Sequence, residues 1–257
     1  MNTSQLSRRL LLGLLPLLAA SRAGADAKPH DVRFMSAGFD GVRHLGGLHV
    51  RMAPGWKTYW RVPGAGGIPP EIAVQGANIA DFTFACPLPA RMTGGDGESI
   101  GYKDEVVFPW VLAPVDPTKP VAASLSAFIG VCETVCIPVA VQETLALEPL
   151  AMATRDAGLL MQWQARVPTP GEAVAAVTAG EDGGKVFVDV ALTSAARDVF
   201  IEGNPSHFFT APLWSDEGRL ARCIVHGAKS PDELRGKPLR ITLDVNGGGL
   251  EQTLTVR

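Results

Sequence analysis

The sequence predicts a mostly-β protein made of two β-sandwich domains joined by a short helical segment. From Asp31 onward, short runs rich in β-branched and aromatic residues alternate with clusters of Gly, Pro and Asp, a pattern typical of strands separated by turns. Helical periodicity is concentrated in one stretch, and a Pro-rich break follows it. This order predicts one set of strands, a helix and then a second set of strands.

Nine segments carry the strand pattern of apolar residues bounded by turn residues. Strands of this number and spacing are typical of sandwiches. The predicted strands are Val32–Met35, Leu48–Met52, Val106–Leu112, Ala122–Val131, Val139–Leu147, Lys185–Leu192, Asp198–Glu202, Arg219–Val225 and Leu239–Val245.

The helical signal covers Thr154–Arg166, where Asp156 lies near the start and apolar residues such as Leu160 and Trp163 follow. The Pro-Thr-Pro-Gly sequence at 168–171 then interrupts the chain, because proline does not continue a helix. We expect this helix to lie between the two domains. One large sandwich spanning both halves is an alternative that periodicity alone does not exclude.

Residues 1–27 have the composition of a signal peptide. Arg8 and Arg9 precede the apolar run Leu10–Ala20, and small residues follow. The run is shorter than the roughly 20 apolar residues that span a bilayer, so export followed by cleavage is expected. The arginine pair also resembles a twin-arginine export signal. No later apolar run reaches membrane-spanning length, and no membrane insertion is expected after removal of the signal.

The signal-peptide composition and the proline- and glycine-rich breaks therefore divide the chain into four predicted parts. These are a signal peptide at 1–27, a first β domain at 28–150, a helix and linker at 151–171, and a second β domain at 172–257, which ends in a hairpin around 246–249. With 257 residues and 46% hydrophobic content, the chain can bury a sizeable core. Its net charge of −3 argues against nucleic acid as a partner, because no basic excess is available to neutralise phosphates.

Four cysteines, at positions 86, 132, 136 and 223, suggest disulfide chemistry in an exported protein. Cys132 ends one predicted strand and Cys136 precedes the next, so Glu133, Thr134 and Val135 are expected at a hairpin tip. Cross-strand neighbours have Cα atoms roughly 4.5–5.5 Å apart, which permits a disulfide. The two sulfurs are therefore expected to face each other across the turn.

Such a bridge can be a structural staple or a redox-active pair. A disulfide that closes a loop of about five residues restricts the unfolded chain by only about 2 kcal/mol. A short bridge on a turn is also accessible to the in-line attack of a thiolate that exchange requires. The pattern favours exchange chemistry at Cys132 and Cys136, while Cys86 and Cys223 are expected to be buried free thiols or to bridge.

Three passages carry a resemblance to a known family. They are Pro54–Arg61 with Pro63, Gly64 and Gly67–Pro70, then Gly101–Pro109, and finally Val131–Pro138. In this order they resemble the N-terminal periplasmic domain of the disulfide reductase DsbD, and especially its ScsB-type relatives. The likeness covers roughly residues 30–150, and the remainder is generally similar to the second immunoglobulin-like unit of ScsB-type periplasmic regions.

The resemblance implies two immunoglobulin-like domains in the periplasm and the activity of a protein thiol-disulfide oxidoreductase. Electrons would pass between a membrane donor and periplasmic thioredoxin-like proteins by sequential disulfide exchange. Carried over to this chain, Cys136 would attack the partner and Cys132 would resolve the mixed disulfide. The sequence given contains neither the membrane domain nor the Cys-x-x-Cys unit of the membrane-linked reductases, so a separate membrane electron donor is expected.

The resemblance also implies a loop that shields the pair, in the position of the glycine-rich stretch Met92–Glu98, although an ordinary surface turn fits the same residues. Within it, Asp96 and Glu98, together with Glu133 of the hairpin, are acidic groups that could raise a thiol pKa. The aromatic residues Trp56, Tyr59 and Trp60 are expected mainly to pack in the core, with a partner-facing surface as the alternative.

Two other functions fit the same residues. One is a non-catalytic binding module whose disulfide is inert. The other is periplasmic Cu(I) binding by the two thiolates, assisted by Met35, Met52 and Met92. The five histidines lack the short spacing of a zinc site, and no cofactor or metal is expected. No serine-hydrolase order or phosphate loop is present.

Overall fold

A computed structural model describes residues 28–64, 66–94, 97–152, 154–245 and 248–257. The predicted signal peptide at 1–27 lies outside these residues. The regular structure of the described chain is mostly strand, with one short α-helix. Its elements are β1 (His30–Phe39), β2 (His44–Met52), β3 (Lys57–Tyr59), β4 (Glu71–Gly76), β5 (Ile79–Phe84), β6 (Ala90–Gly94), β7 (Gly97–Lys103), β8 (Glu105–Pro114), β9 (Val121–Cys132), β10 (Cys136–Leu147), α1 (Ala157–Gln164), β11 (Thr169–Pro170), β12 (Val174–Asp182), β13 (Lys185–Leu192), β14 (Asp198–Glu202), β15 (Phe208–Phe209), β16 (Leu213–Ser215), β17 (Leu220–His226), β18 (Pro238–Val245) and β19 (Gly248–Thr255).

The strands form two β-sandwiches, and the alternative of one large sandwich is wrong. In the first sandwich, one sheet has the order β1-β2-β8-β5 and the other the order β10-β9-β3-β7-β6, with β4 also paired to β9. In the second, the order β11-β19-β18-β14 faces β12-β13-β17-β15, with β16 on β17. The mostly-β, immunoglobulin-like fold predicted from the sequence is confirmed.

Period-two alternation explains how β9 builds the first core. Val121, Ala123, Leu125 and Ile129 point inward and are almost fully buried, whereas the intervening residues are more exposed. Side chains of a strand alternate between the two faces of the sheet, so one face of β9 packs against the opposite sheet. Trp60, Phe108 and Trp110 fill the same core. A separate cluster, which includes Val188, Val190, Cys223 and Ile241, fills the second sandwich.

Strand β14 buries both of its faces and so joins the two sandwiches. Val199 and Ile201 pack in the second core, while Phe200 between them points to the first core, where its ring centroid lies 5.7 Å from that of Trp60. Phe200 is 1% exposed. Full burial of such a side chain contributes roughly 1.5–3 kcal/mol, so this residue helps to fix the two sandwiches to each other.

Eight of the nine predicted strands lie within observed strands, and the other, Arg219–Val225, begins one residue before β17. The helix is shorter than predicted. It covers Ala157–Gln164, and Leu160 and Trp163 are its buried residues. Strands β18 and β19 form the expected hairpin up to Val245 and from Gly248. In the described residues, none of the helices has the length and apolarity needed to cross a membrane. The boundaries proposed for the two domains remain predictions.

Candidate functional site

The candidate site is the end of the β9–β10 hairpin. Cys132 is the last residue of β9 and Cys136 the first of β10, and the two are direct cross-strand partners. Their Cα atoms are 4.1 Å apart and the sulfurs are bonded to each other. The prediction that the two sulfurs face each other across the turn is thus confirmed.

The two halves of this disulfide differ in exposure. Cys132 is 1% exposed, whereas Cys136 is only partly buried. The tip residues between them are exposed, and Val135 is 73% exposed. An approaching thiolate must reach a sulfur along the axis of the S–S bond. Cys136 is therefore the more accessible half of the pair.

Tyr59 provides a hydroxyl to both sulfurs. Its Oη donates to Cys132 Sγ at 3.0 Å and lies 3.2 Å from Cys136 Sγ. The ring is 1% exposed. Strand β3 holds it in place because Lys57 pairs with Cys132 on one side, while Tyr59 pairs with Gly101 of β7 on the other.

Glycines make this close packing around Tyr59 possible. A Cβ at Gly101 would lie 2.0 Å from the carbonyl oxygen of Thr58, and one at Gly67 would lie 2.6 Å from Cδ1 of Tyr59. Both distances are far shorter than real contacts, so a side chain at either position would displace β3 or the ring. Close packing therefore explains why glycine occupies positions 67 and 101.

The expectation that Tyr59 serves mainly as core packing is incomplete. The ring is buried as expected, but its hydroxyl contacts the disulfide. A hydrogen bond to a thiolate favours the charged form, so this hydroxyl would lower the pKa of a thiol formed on reduction. Sequence spacing did not reveal the contact, because it depends on the register of a three-residue strand. Trp60 is fully buried and Trp56 partly buried.

Lys57 is a second residue whose position sequence reasoning missed. It lies directly opposite Cys132, is 7% exposed, and donates from Nζ to Ser99 Oγ at 3.1 Å. Its Nζ is 6.0 Å from the centroid of the Tyr59 ring. Lys57 and Tyr59 are two residues apart on β3, so both side chains lie on the face of the sheet that carries Cys132.

The glycine-rich stretch Met92–Glu98 lies in a β-hairpin. Met92 is buried on β6, Glu98 belongs to β7, and Glu98 Oε1 accepts a hydrogen bond from Arg91 Nη1 at 2.7 Å. Asp96 lies outside the described residues. The third predicted acidic group, Glu133, is exposed at the tip of the β9–β10 hairpin. A shielding role for this stretch remains a prediction.

Cys86 and Cys223 are buried free thiols, which is one of the roles expected for them. Burial raises the pKa of Cys86 to about 11 and that of Cys223 to about 12. Both are therefore protonated at neutral pH and are poor nucleophiles. The bridging alternative is wrong for both residues.

Metal-ligating side chains do not cluster in the part of the chain that the structure describes: no three His, Cys, Asp or Glu residues come together there. The methionines proposed to assist Cu(I) binding, Met35, Met52 and Met92, are all buried. Capture of copper by the reduced cysteine pair stays an untested alternative.

The fold resembles that of a protein of known structure. No curated protein matches the chain. Among solved structures, the N-terminal periplasmic domain of ScsB from Proteus mirabilis is similar, with a TM-score of 0.70, 24% sequence identity, and coverage of 90% of this chain and 95% of that chain. Residues 27–148 match the family described as "Thiol:disulfide interchange protein DsbD, N-terminal". This matched segment contains both Cys132 and Cys136.

Proposed function

We propose that this chain is a periplasmic protein thiol-disulfide oxidoreductase that passes electrons to or from partner proteins through Cys132 and Cys136. The observation that carries the proposal is the disulfide at a hairpin tip, with Cys136 partly exposed and the Tyr59 hydroxyl on both sulfurs. A staple would need neither the exposure nor the hydroxyl. The match of residues 27–148 to an exchange family supports the same conclusion.

The exchange has two steps. In the reduced protein, the Cys136 thiolate attacks a disulfide of the partner, forming a mixed disulfide and releasing one partner thiolate. The Cys132 thiolate then attacks Cys136 Sγ, which closes the Cys132–Cys136 bond and releases the second partner thiolate. Two electrons pass to the partner, and the reverse sequence oxidises a partner dithiol.

Exposure supports the assignment of roles. Cys136 can be reached from solvent, whereas Cys132 lies under Tyr59 at 1% exposure. Cys132 is the direct cross-strand partner of Cys136, so its sulfur is placed for intramolecular attack on a mixed disulfide at Cys136. We therefore assign Cys136 as the attacking residue and Cys132 as the resolving residue.

The partners follow from the same proposal. A periplasmic thioredoxin-like protein would exchange with Cys136, and a separate membrane protein would supply or accept the electrons. The direction of flow depends on the reduction potential of the pair relative to the potentials of these partners. The similar solved structure is itself a periplasmic domain, which supports the location.

The first test is the reduction potential, measured by equilibration with thiol buffers. We expect a value above about −300 mV, the range of labile disulfides. A much lower potential would identify an inert bridge and favour the binding-module alternative.

The second test separates the two cysteines. Reduced Cys132→Ser should react with the disulfide reagent 5,5′-dithiobis(2-nitrobenzoate) about 10-fold or more faster than reduced Cys136→Ser, because thiol reactivity requires access as well as thiolate. Cys223→Ser is the control and should react like the unsubstituted protein, since its thiol is 0% exposed. Equal rates for the two hairpin variants would overturn the role assignment.

A further inference from the structure

Two arginines of the first sandwich, Arg61 and Arg91, pair with residues of the second. Arg61 follows Tyr59 by two residues. Its Nε donates to Glu202 Oε2 at 2.8 Å, it also pairs with Glu251, and its guanidinium lies 4.2 Å from the ring centroid of Trp60. The chain that leaves the redox site is thus bound directly to the second sandwich.

Arg91 makes the corresponding contacts from β6. Its Nε donates to Asp198 Oδ1 at 2.9 Å, and its Nη2 donates to the carbonyl oxygen of Val199 at 2.6 Å. The guanidinium also lies 5.1 Å from the ring centroid of Phe200. Only 13% of the Arg91 side chain is exposed. Hydrogen bonds between charged groups in such partly buried settings are stronger than neutral ones, so the second sandwich holds β6 firmly.

A short series of contacts connects Arg91 to the site. Arg91 is the cross-strand partner of Ile100 on β7. The carbonyl oxygen of Ile100 accepts from the Trp60 amide at 3.0 Å, and the neighbouring Ser99 accepts from Lys57 Nζ at 3.1 Å. Lys57 is itself the cross-strand partner of Cys132, and Trp60 directly follows Tyr59, whose hydroxyl donates to Cys132 Sγ. The β6–β7 hairpin cannot move away from β3 without straining these contacts.

We propose that the second sandwich holds the β6–β7 hairpin against β3, and that Arg91 is the positioning residue that limits how readily a thiol opens the Cys132–Cys136 disulfide. Loosening Arg91 would release β7, and with it the packing that keeps Tyr59 and Cys132 at 1% exposure. This inference rests on the proposed function only in that it assumes an exchangeable disulfide. On this inference, the second sandwich affects how fast the disulfide of the first sandwich is reduced.

The test measures the rate at which dithiothreitol reduces the disulfide, without denaturant, in Arg91→Gln and Asp198→Asn. Asp198→Asn changes only the second sandwich and leaves Arg91 bound to Glu98. Mutations along a connected network of contacts can change the coupling between two sites, so we expect reduction to be about 5-fold faster in both variants. An unchanged or slower rate in both variants would overturn the proposal.

Arg222→Gln is the matched control. Arg222 makes a two-point ion pair with Asp189 and lies 3.8 Å from the ring centroid of Phe187, all within the second sandwich. Its loss should leave the reduction rate within about 2-fold of the unsubstituted protein, and an equal acceleration would reduce the effect of Arg91 to general destabilisation. If Arg91→Gln does not fold, as judged by circular dichroism, Asp198→Asn alone decides.

The outcome also separates this inference from the proposed function. An unsubstituted protein that dithiothreitol reduces, with variants of the same rate, would contradict the role of Arg91 and leave the exchange function intact. An unsubstituted protein that resists reduction, with variants that react, would support the role of Arg91 and contradict the exchange function. Resistance in all of them would contradict both.

Discussion

Tyr59 has a phenol hydroxyl within 3.2 Å of both sulfurs of the disulfide. In the oxidised protein this hydroxyl can only donate, because disulfide sulfurs carry no hydrogen. After reduction it can donate to a thiolate, where the bond is stronger because the acceptor is charged. The hydroxyl therefore stabilises the reduced, ionised pair more than the disulfide.

Replacing Tyr59 with Phe should raise the pKa of the more acidic thiol by about one unit, since hydrogen bonds to charged groups contribute roughly 1.5–3 kcal/mol and one unit corresponds to about 1.4 kcal/mol. The pH dependence of alkylation by iodoacetamide measures this pKa. Tyr102→Phe is the control, because the Tyr102 hydroxyl donates to the Pro87 carbonyl at 2.7 Å and not to sulfur. Equal thiol pKa values in Tyr59→Phe and the unsubstituted protein would rule out the hydroxyl as a determinant.

The sequence predicted the cysteine pair but not the residues that contact it. Cys132 and Cys136 were recognisable because their spacing and flanking strands specify a hairpin without other information. Tyr59 and Lys57 reach the pair only through the pairing of β3 with β9 and β7. Pairing between strands distant in sequence depends on tertiary packing, so a single sequence carries no local signal for it.

At the scale of the elements, long alternating strands were predictable and short ones were not. Strand β9 has twelve residues with clear alternation, and it was predicted nearly in full. Strand β3 has three residues, all buried, so no periodicity can emerge. The predicted helix, Thr154–Arg166, extends beyond both ends of the observed helix, which begins at Ala157 and ends at Gln164.

The β9–β10 hairpin is held by a ladder of twelve cross-strand pairs as well as by its disulfide. Because the disulfide closes a loop of about five residues, reduction should lower the free energy of unfolding by only about 2 kcal/mol. Guanidinium unfolding with and without dithiothreitol measures the difference, and Cys132→Ser with Cys136→Ser provides a version that cannot re-form the bond. Loss of the folded state on reduction would assign the bond a structural role instead.

At the scale of the whole molecule, the two cores are separate but one strand serves both. The sequence indicated two sets of strands, and the break at 168–171 lies between them. It gave no indication that Phe200 would leave its own core for the first one, because alternation on β14 identifies an outward face without identifying what covers it. The ion pairs that Arg61 and Arg91 make with the second sandwich were equally unpredictable, since those partners are more than a hundred residues away in sequence.

Each core also contains one buried free thiol, and this predicts how the molecule responds to alkali. The pKa values of Cys86 and Cys223 are raised by burial, to about 11 and about 12, from an ordinary value of 9.0. Between the ordinary and the raised values, the unfolded chain ionises and the folded protein does not. The folded state therefore binds more protons in this range, and its stability falls as pH rises above 9.

At pH 10, each thiol should lower the free energy of unfolding by about 1.4 kcal/mol relative to pH 8, because one pKa unit corresponds to that amount. Urea unfolding at the two pH values measures the loss. The double variant Cys86→Ala with Cys223→Ala removes both thiols and should lose about 3 kcal/mol less than the unsubstituted protein over the same interval, while titration of the lysines and tyrosines affects both proteins alike. The same loss in the two proteins would mean that the buried thiols ionise as easily when folded as when unfolded.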